Sequence, residues 1–183
     1  MTQVRLTHAP NGAPIIGIVG WKNSGKTTLT VKLIEEIVRR GYRVASLKHA
    51  HHNLRIDDKD TDSARHRRAG ASQVAVVSEK RWAIVTELGD APEPSFVEIL
   101  ARLGSADLVI VEGYKREAIA KIEARRNGSS CDEPIYHSDA NVVAIAADHA
   151  IEDAGERIVF QLDDVPAIAN FIVARFLNRS EDA

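Results

Sequence analysis

The densest chemistry in this sequence is the string Gly20-Trp21-Lys22-Asn23-Ser24-Gly25-Lys26-Thr27-Thr28, in which two glycines separated by four residues are followed by Lys and a hydroxyl residue. This is the phosphate-binding loop pattern. Its glycines let successive backbone N–H groups turn toward one anion, and a helix starting behind them adds its positive N-terminal end. Lys26 suits the β- and γ-phosphates of a nucleoside triphosphate, the Thr27 hydroxyl suits Mg²⁺, and Thr28 is an extra phosphate contact. One subgroup of such loops carries a second lysine directly after the first glycine. Here Trp21 stands at that position and Lys22 falls one place too late, so the chain is not assigned to that subgroup.

A second candidate is the carboxylate that ends Asp107-Leu-Val-Ile-Val-Glu112-Gly113. Phosphate-loop proteins place an acid at the carboxyl end of a buried strand beside Mg²⁺, usually through a water. Lys26 and Glu112 are therefore the catalytic candidates, and Thr27 and Glu112 the metal candidates. Asp60 and Asp62 lie in a charged stretch that reads either as a switch-like loop approaching Mg²⁺ or as a solvated charge run.

These residues need a strand before the loop, a helix after it, and a second strand carrying the acid. Ile15 to Val19 is a short β-branched run suited to a buried parallel strand, and Leu29, Leu33, Ile34, Ile37 and Val38 space a helix from Thr27 to Arg40 that Gly41 ends. Arg43–Lys48 reads as a second strand. Ser63 to Gly70 reads as a short basic helix whose Arg65, Arg67 and Arg68 either meet phosphate across a dimer or lie exposed. Val74–Ser78 and Trp82–Thr86 read as two strands joined by a charged turn, the first apolar enough to be central, with Trp82 packed and Arg81 at a subunit contact. A helix is expected from Ser95 to Leu103, capped by Ser95 and Glu98. Strands follow at Lys121–Arg125, Val142–Ala147 and, as an edge, Arg157–Leu162, before a closing helix from Ala167 to Leu177. The alternation of strands and helices calls for an α/β fold, a mostly parallel, helix-covered sheet with an antiparallel edge.

At 183 residues the chain fits one nucleotide-binding domain, with residues 1–13 as an N-terminal arm. Hydrophobic content of 44%, charged content of 27% and a net charge of −2 are ordinary for a soluble globular protein. They give no push toward nucleic acid or an anionic membrane. No apolar stretch approaches the length of a signal core or a membrane span. The single cysteine, Cys131, cannot form an internal disulfide and suits a reducing cytoplasm.

Several strings together resemble one family, the molybdopterin-guanine dinucleotide biosynthesis protein B group of phosphate-loop proteins. They are Gly20 to Thr28, Lys48-His49-Ala50-His51-His52, Lys59-Asp60 with Ala69-Gly70-Ala71, Arg81-Trp82-Ala83, and Val111-Glu112-Gly113-Tyr114-Lys115. The phosphate loop is shared by many families, and it is the combination that is specific. The resemblance implies a P-loop NTPase fold and a GTP-binding accessory protein with weak GTPase activity. It also implies Mg²⁺ as cofactor, a homodimer, and work beside the guanylyltransferase that joins GMP to molybdopterin. Members often carry Pro-Gly before the Lys-Asp string, where this chain has Asp57-Asp58, and the base-reading Asn-Lys-x-Asp string of many GTPases is missing. Asp148 is a candidate substitute.

Within that frame Lys48, His49, His51, His52 and Lys115 are candidates for lining a pterin, nucleotide or partner pocket, with molybdopterin a possible ligand. The histidines read alternatively as transition-metal ligands or a solvated loop, and Lys115 as a snorkelling surface lysine. No Gln or Asp is placed by motif to orient a hydrolytic water, so slow turnover is expected. The same loop would also serve a small-molecule kinase, a metal-insertion GTPase, or an adaptor that holds nucleotide without hydrolysing it.

Overall fold

The computed structural model describes residues 5–50, 61–129 and 133–178. Its contacts gather into two compact units, one formed by Met1–His49 with Phe96–Ala183 and the other by Ala50–Ser95.

In the first unit, strand β1 (Ile15–Val19) is followed by helix α1 (Lys26–Arg39) and strand β2 (Val44–Lys48). In the second unit come helix α2 (Asp62–Arg68) and strands β3 (Gln73–Val77) and β4 (Trp82–Thr86). The first unit resumes with helix α3 (Phe96–Leu100) and strands β5 (Leu108–Glu112), β6 (Lys121–Arg125), β7 (Val142–Ala147) and β8 (Ile158–Gln161), then helix α4 (Val165–Ile172).

The first unit holds a six-stranded sheet ordered β2-β5-β1-β6-β7-β8, with every pairing parallel. Parallel strands buried on both faces read as continuous apolar runs, and β1 and β5 are buried at every residue. Alternate side chains serve opposite faces. Ile16, Ile18, Leu108, Ile110 and Ile122 meet Leu29, Leu33 and Ile37 of α1 and Ile168 and Ile172 of α4. Ile15, Val109 and Val111 meet Phe96 and Leu100 of α3 on the other side. Leu33 and Ile37 are fully buried, each worth about 1.5–3 kcal/mol, so packing of one face holds α1 more firmly than helix propensity could. Its end is set by Gly41, whose left-handed backbone (φ 94°) lets its N–H reach the Val38 carbonyl at 2.9 Å.

The mostly parallel, helix-covered sheet agrees with the sequence reading, and the antiparallel component is a separate two-stranded sheet of β3 and β4. Two expectations change. β3 is not central: of its residues only Val74 is buried. Trp82 does not pack either, being 70% exposed, opposite Val77, which is 76% exposed. An apolar run reports affinity for a pleated surface but not whether a layer covers it. The closing helix also starts earlier than expected, capped by the Asp164 side chain with Pro166 in its first turn, where a proline N–H is not needed. Its last stretch, Val173–Leu177, widens to a π-helix closed by the Asn178 N–H on the Val173 carbonyl.

Candidate functional site

Sheet order assembles the site. In open parallel sheets ligands bind beyond the carboxyl ends of the strands, and β1 lies between β5 and β6 with its carboxyl end opening into the Gly20–Thr28 loop. Gly20 is required by close packing: a Cβ there would lie 2.2 Å from Ser24 Oγ and 2.6 Å from the Ala124 carbonyl. Asn23 (φ 66°) and Gly25 (φ 86°) both take left-handed backbone, which curls the loop's N–H groups toward one concavity.

Gly25 caps α1 without a side-chain hydrogen bond, and no acidic residue sits in the first turn. The helix therefore turns its first N–H groups and positive dipole end toward the loop with no side-chain cap or first-turn acid to offset them, the arrangement a phosphate neutralises. Lys26 Nζ donates to the Trp21 carbonyl at 3.1 Å, folded along the loop it would serve. Arg126 joins them: a Cβ on Gly25 would lie 3.5 Å from its guanidinium carbon. Sequence reasoning missed Arg126; its position just past the end of β6, the strand beside β1, is the signal that identifies it.

Thr27 Oγ1 donates to Glu112 Oε1 at 2.6 Å, and Lys48 Nζ lies 3.1 Å from the same oxygen. The register explains the meeting, since Glu112 is paired with Ile18 on one side and with Lys48 on the other. A threonine hydroxyl whose proton is already committed to a carboxylate keeps its lone pairs for a metal. With phosphate oxygens these hard donors fit Mg²⁺. Thr27 would ligate such an ion directly, and Glu112 would hold one of its waters.

Other candidate residues find partners of their own. Gly113 (φ 88°) and Tyr114 (φ 47°) turn the chain after β5 and set the Tyr114 ring between His49, at 4.7 Å, and Phe96, at 4.8 Å. Lys115 Nζ stands 3.6 Å over the Trp21 ring, whose Nε1 donates to the Glu133 carbonyl at 2.7 Å. Lys48, His49 and Lys115 thus engage Glu112, Tyr114 and Trp21 respectively. Lys22 and Thr28 are exposed beside them on the loop and helix. His51, His52 and Asp60 lie outside the described residues. Among the described residues no cluster of three His, Cys, Asp or Glu side chains is arranged for a metal ion.

Asp148, just past the end of β7, accepts from the Asn127 N–H and from His149 Nδ1, each at 2.9 Å, and lies 3.9 Å from Arg126 Nε. The His149 hydrogen bond, then the Asn127 N–H, hold its carboxyl below the usual aspartate value. It is ionised at neutral pH and close to the phosphate loop through Arg126.

The family described as "Molybdopterin guanine dinucleotide synthesis protein B" matches residues 15–148. A molybdopterin-guanine dinucleotide biosynthesis adapter protein from Haemophilus influenzae is 40% identical over 165 residues, covering 88% of this chain and 89% of its own. One from Escherichia coli is 36% identical over 162 residues, covering 87% and 91%. The crystal structure of a MobB protein homolog from Bacillus stearothermophilus superposes with a TM-score of 0.63 at 28% identity, covering 88% of this chain and 99% of that one. The fold is that of the P-loop NTPases, and the chain belongs to the molybdopterin guanine dinucleotide synthesis protein B family.

Proposed function

We propose that this protein binds GTP with Mg²⁺ at the Gly20–Thr28 loop and acts as a weakly hydrolysing accessory protein to a molybdopterin guanylyltransferase in the cytoplasm. The observation that carries the reading is Thr27 bonded to Glu112 beneath an open helix N-terminus, a cradle for a triphosphate and its cation. Lys26 and Arg126 add positive charge for the phosphates. Weak turnover follows from the role of the carboxylate: Glu112 accepts the Thr27 hydroxyl and would hold a water of the cation, which makes it a poor general base for a hydrolytic water. The adapter names of the 40% and 36% identical relatives support an accessory role, with the guanylyl transfer itself carried out on the partner.

The homodimer belongs to the same reading. The β3–β4 sheet exposes Val77, Trp82 and Ile84, which its register places on one face. A two-stranded sheet is marginal by itself, and a second copy of this chain is the cover we assign to that face.

The test is reconstitution: guanylyltransferase, molybdopterin and GTP with and without this chain, scored by yield of dinucleotide cofactor. A higher yield that requires Lys26 is expected. An unchanged yield would end the accessory reading, and phosphorylation of a small molecule in its place would make the protein a kinase.

A further inference from the structure

The Lys48 ammonium stands where the charge of a divalent ion is wanted. It lies 3.1 Å from Glu112 Oε1, the oxygen that also accepts the Thr27 hydroxyl at 2.6 Å. The contact is built in by the sheet, because β2 and β5 pair in parallel with Lys48 directly beside Glu112. The two partners differ in freedom: the Glu112 side chain is 8% exposed, the Lys48 side chain 57%. A carboxylate so nearly buried is costly without a counter-charge, and the neutral Thr27 hydroxyl supplies none. Lys48 supplies it from a flexible, largely solvated stem that can leave.

We propose that Lys48 is a resident counter-cation that holds Glu112 in the metal-free protein, gives up its oxygen when a Mg²⁺–nucleoside triphosphate enters, and then pairs with the incoming phosphates. The inference rests on the reading that the phosphate loop binds nucleotide with Mg²⁺. An ammonium and a Mg²⁺-bound water compete for the lone pairs of one carboxylate oxygen that already accepts the Thr27 hydroxyl, and the two cations repel when held side by side there. Mg²⁺ alone must therefore compete with Lys48. Mg²⁺ carried by a triphosphate meets less competition, because the same ligand offers the displaced ammonium new anionic oxygens. Lys48 thereby couples metal entry to nucleotide entry and lets a triphosphate bind tolerably without metal. That makes it a positioning residue acting through Glu112.

Two titrations test this on wild type, Lys48→Met and Lys48→Arg, with circular dichroism melts to verify folding. The first follows Mn²⁺ uptake by nucleotide-free protein through its spin resonance. Lys48→Met should bind the ion about tenfold tighter than wild type, a gain of about 1.4 kcal/mol, while Lys48→Arg stays near wild type. Equal affinity in all three, or no binding in any, overturns the proposal.

The second measures GTP affinity by calorimetry in Mg²⁺ and in EDTA. Lys48→Met should lose about tenfold in EDTA and under about threefold in Mg²⁺, a sharper metal dependence that Lys48→Arg does not show. An equal loss in both buffers would make Lys48 an ordinary phosphate contact and overturn the proposal. Wild type that binds no GTP in either buffer would remove the nucleotide reading, and the Mn²⁺ result would still decide the Lys48–Glu112 competition.

Discussion

Thr27 and Glu112 are 85 residues apart in the chain and 2.6 Å apart in space. One opens the helix behind the phosphate loop and the other ends a strand, and only the adjacency of β1 and β5 brings them together. The hydroxyl is oriented by the carboxylate before any ion arrives, so a metal would meet a threonine oxygen already turned the right way. The carboxylate's first effect is thus on Thr27, and through it on the metal.

Replacing Glu112 with Gln should leave the fold intact, because the Gln carbonyl still accepts the Thr27 hydroxyl while the charge is gone. Groups that orient a metal ligand typically contribute 10–100-fold in affinity, so Mg²⁺ stimulation of GTP binding should fall by about that factor. Calorimetry with GTP across a Mg²⁺ series measures it. Full Mg²⁺ stimulation in the variant would take Glu112 out of the metal site.

Lys26→Ala should remove the main cation at the phosphates. Charge-assisted hydrogen bonds are worth about 1.5–3 kcal/mol each, so losing contacts to two phosphates weakens GTP by roughly 10²-fold or more. The loop should survive, since its turn is closed independently by the Ser24 N–H on the Trp21 carbonyl at 3.1 Å. A calorimetric affinity equal to wild type would dismiss the assignment.

The backbone of the Gly20–Thr28 loop was readable from the sequence because its physics is local: closely spaced glycines between an apolar strand and an amphipathic helix fix the turn. Glu112 was readable because a wholly apolar strand with an acid at its end is a local pattern too. The partner of Lys48 was not, because it depends on β2 lying beside β5, and sheet order is a property of the whole chain. Arg126 was missed for the same reason, since its approach to Gly25 follows from β6 lying beside β1. β3 and Trp82 were misread as packed because residue type reports what a surface prefers and leaves open what covers it.

The exposed Trp82 carries its own prediction. On the reading that a second copy covers the β3–β4 face, Trp82→Glu places a charge opposite Val77 within the contact, where an unpaired buried charge costs several kcal/mol. The protein should shift from dimer to monomer by light scattering at micromolar concentration, with its melting little changed. A dimer that persists would move the interface elsewhere.

The last prediction concerns stability and pH. Lys121 is 1% exposed, and its ammonium donates to the Glu117 carbonyl and, at 2.6 Å, to Asp139 Oδ2. Burial by itself would raise the Asp139 carboxyl, but the hydrogen bond from Lys121 and those from Asn141 outweigh it and hold the group below its ordinary value. A carboxyl depressed in the folded state stabilises the protein above its unfolded pKa and loses that effect as pH falls through the folded one. Asp139→Asn should therefore cost about 3 kcal/mol at pH 7, where it strands a buried ammonium, and the gap to wild type should begin to narrow as pH falls below about 4. Combining it with Lys121→Met should restore much of the loss, because the stranded charge is gone. Urea midpoints from pH 3 to 8 measure all three proteins, and a gap that does not change with pH would show that the Asp139 charge plays no part.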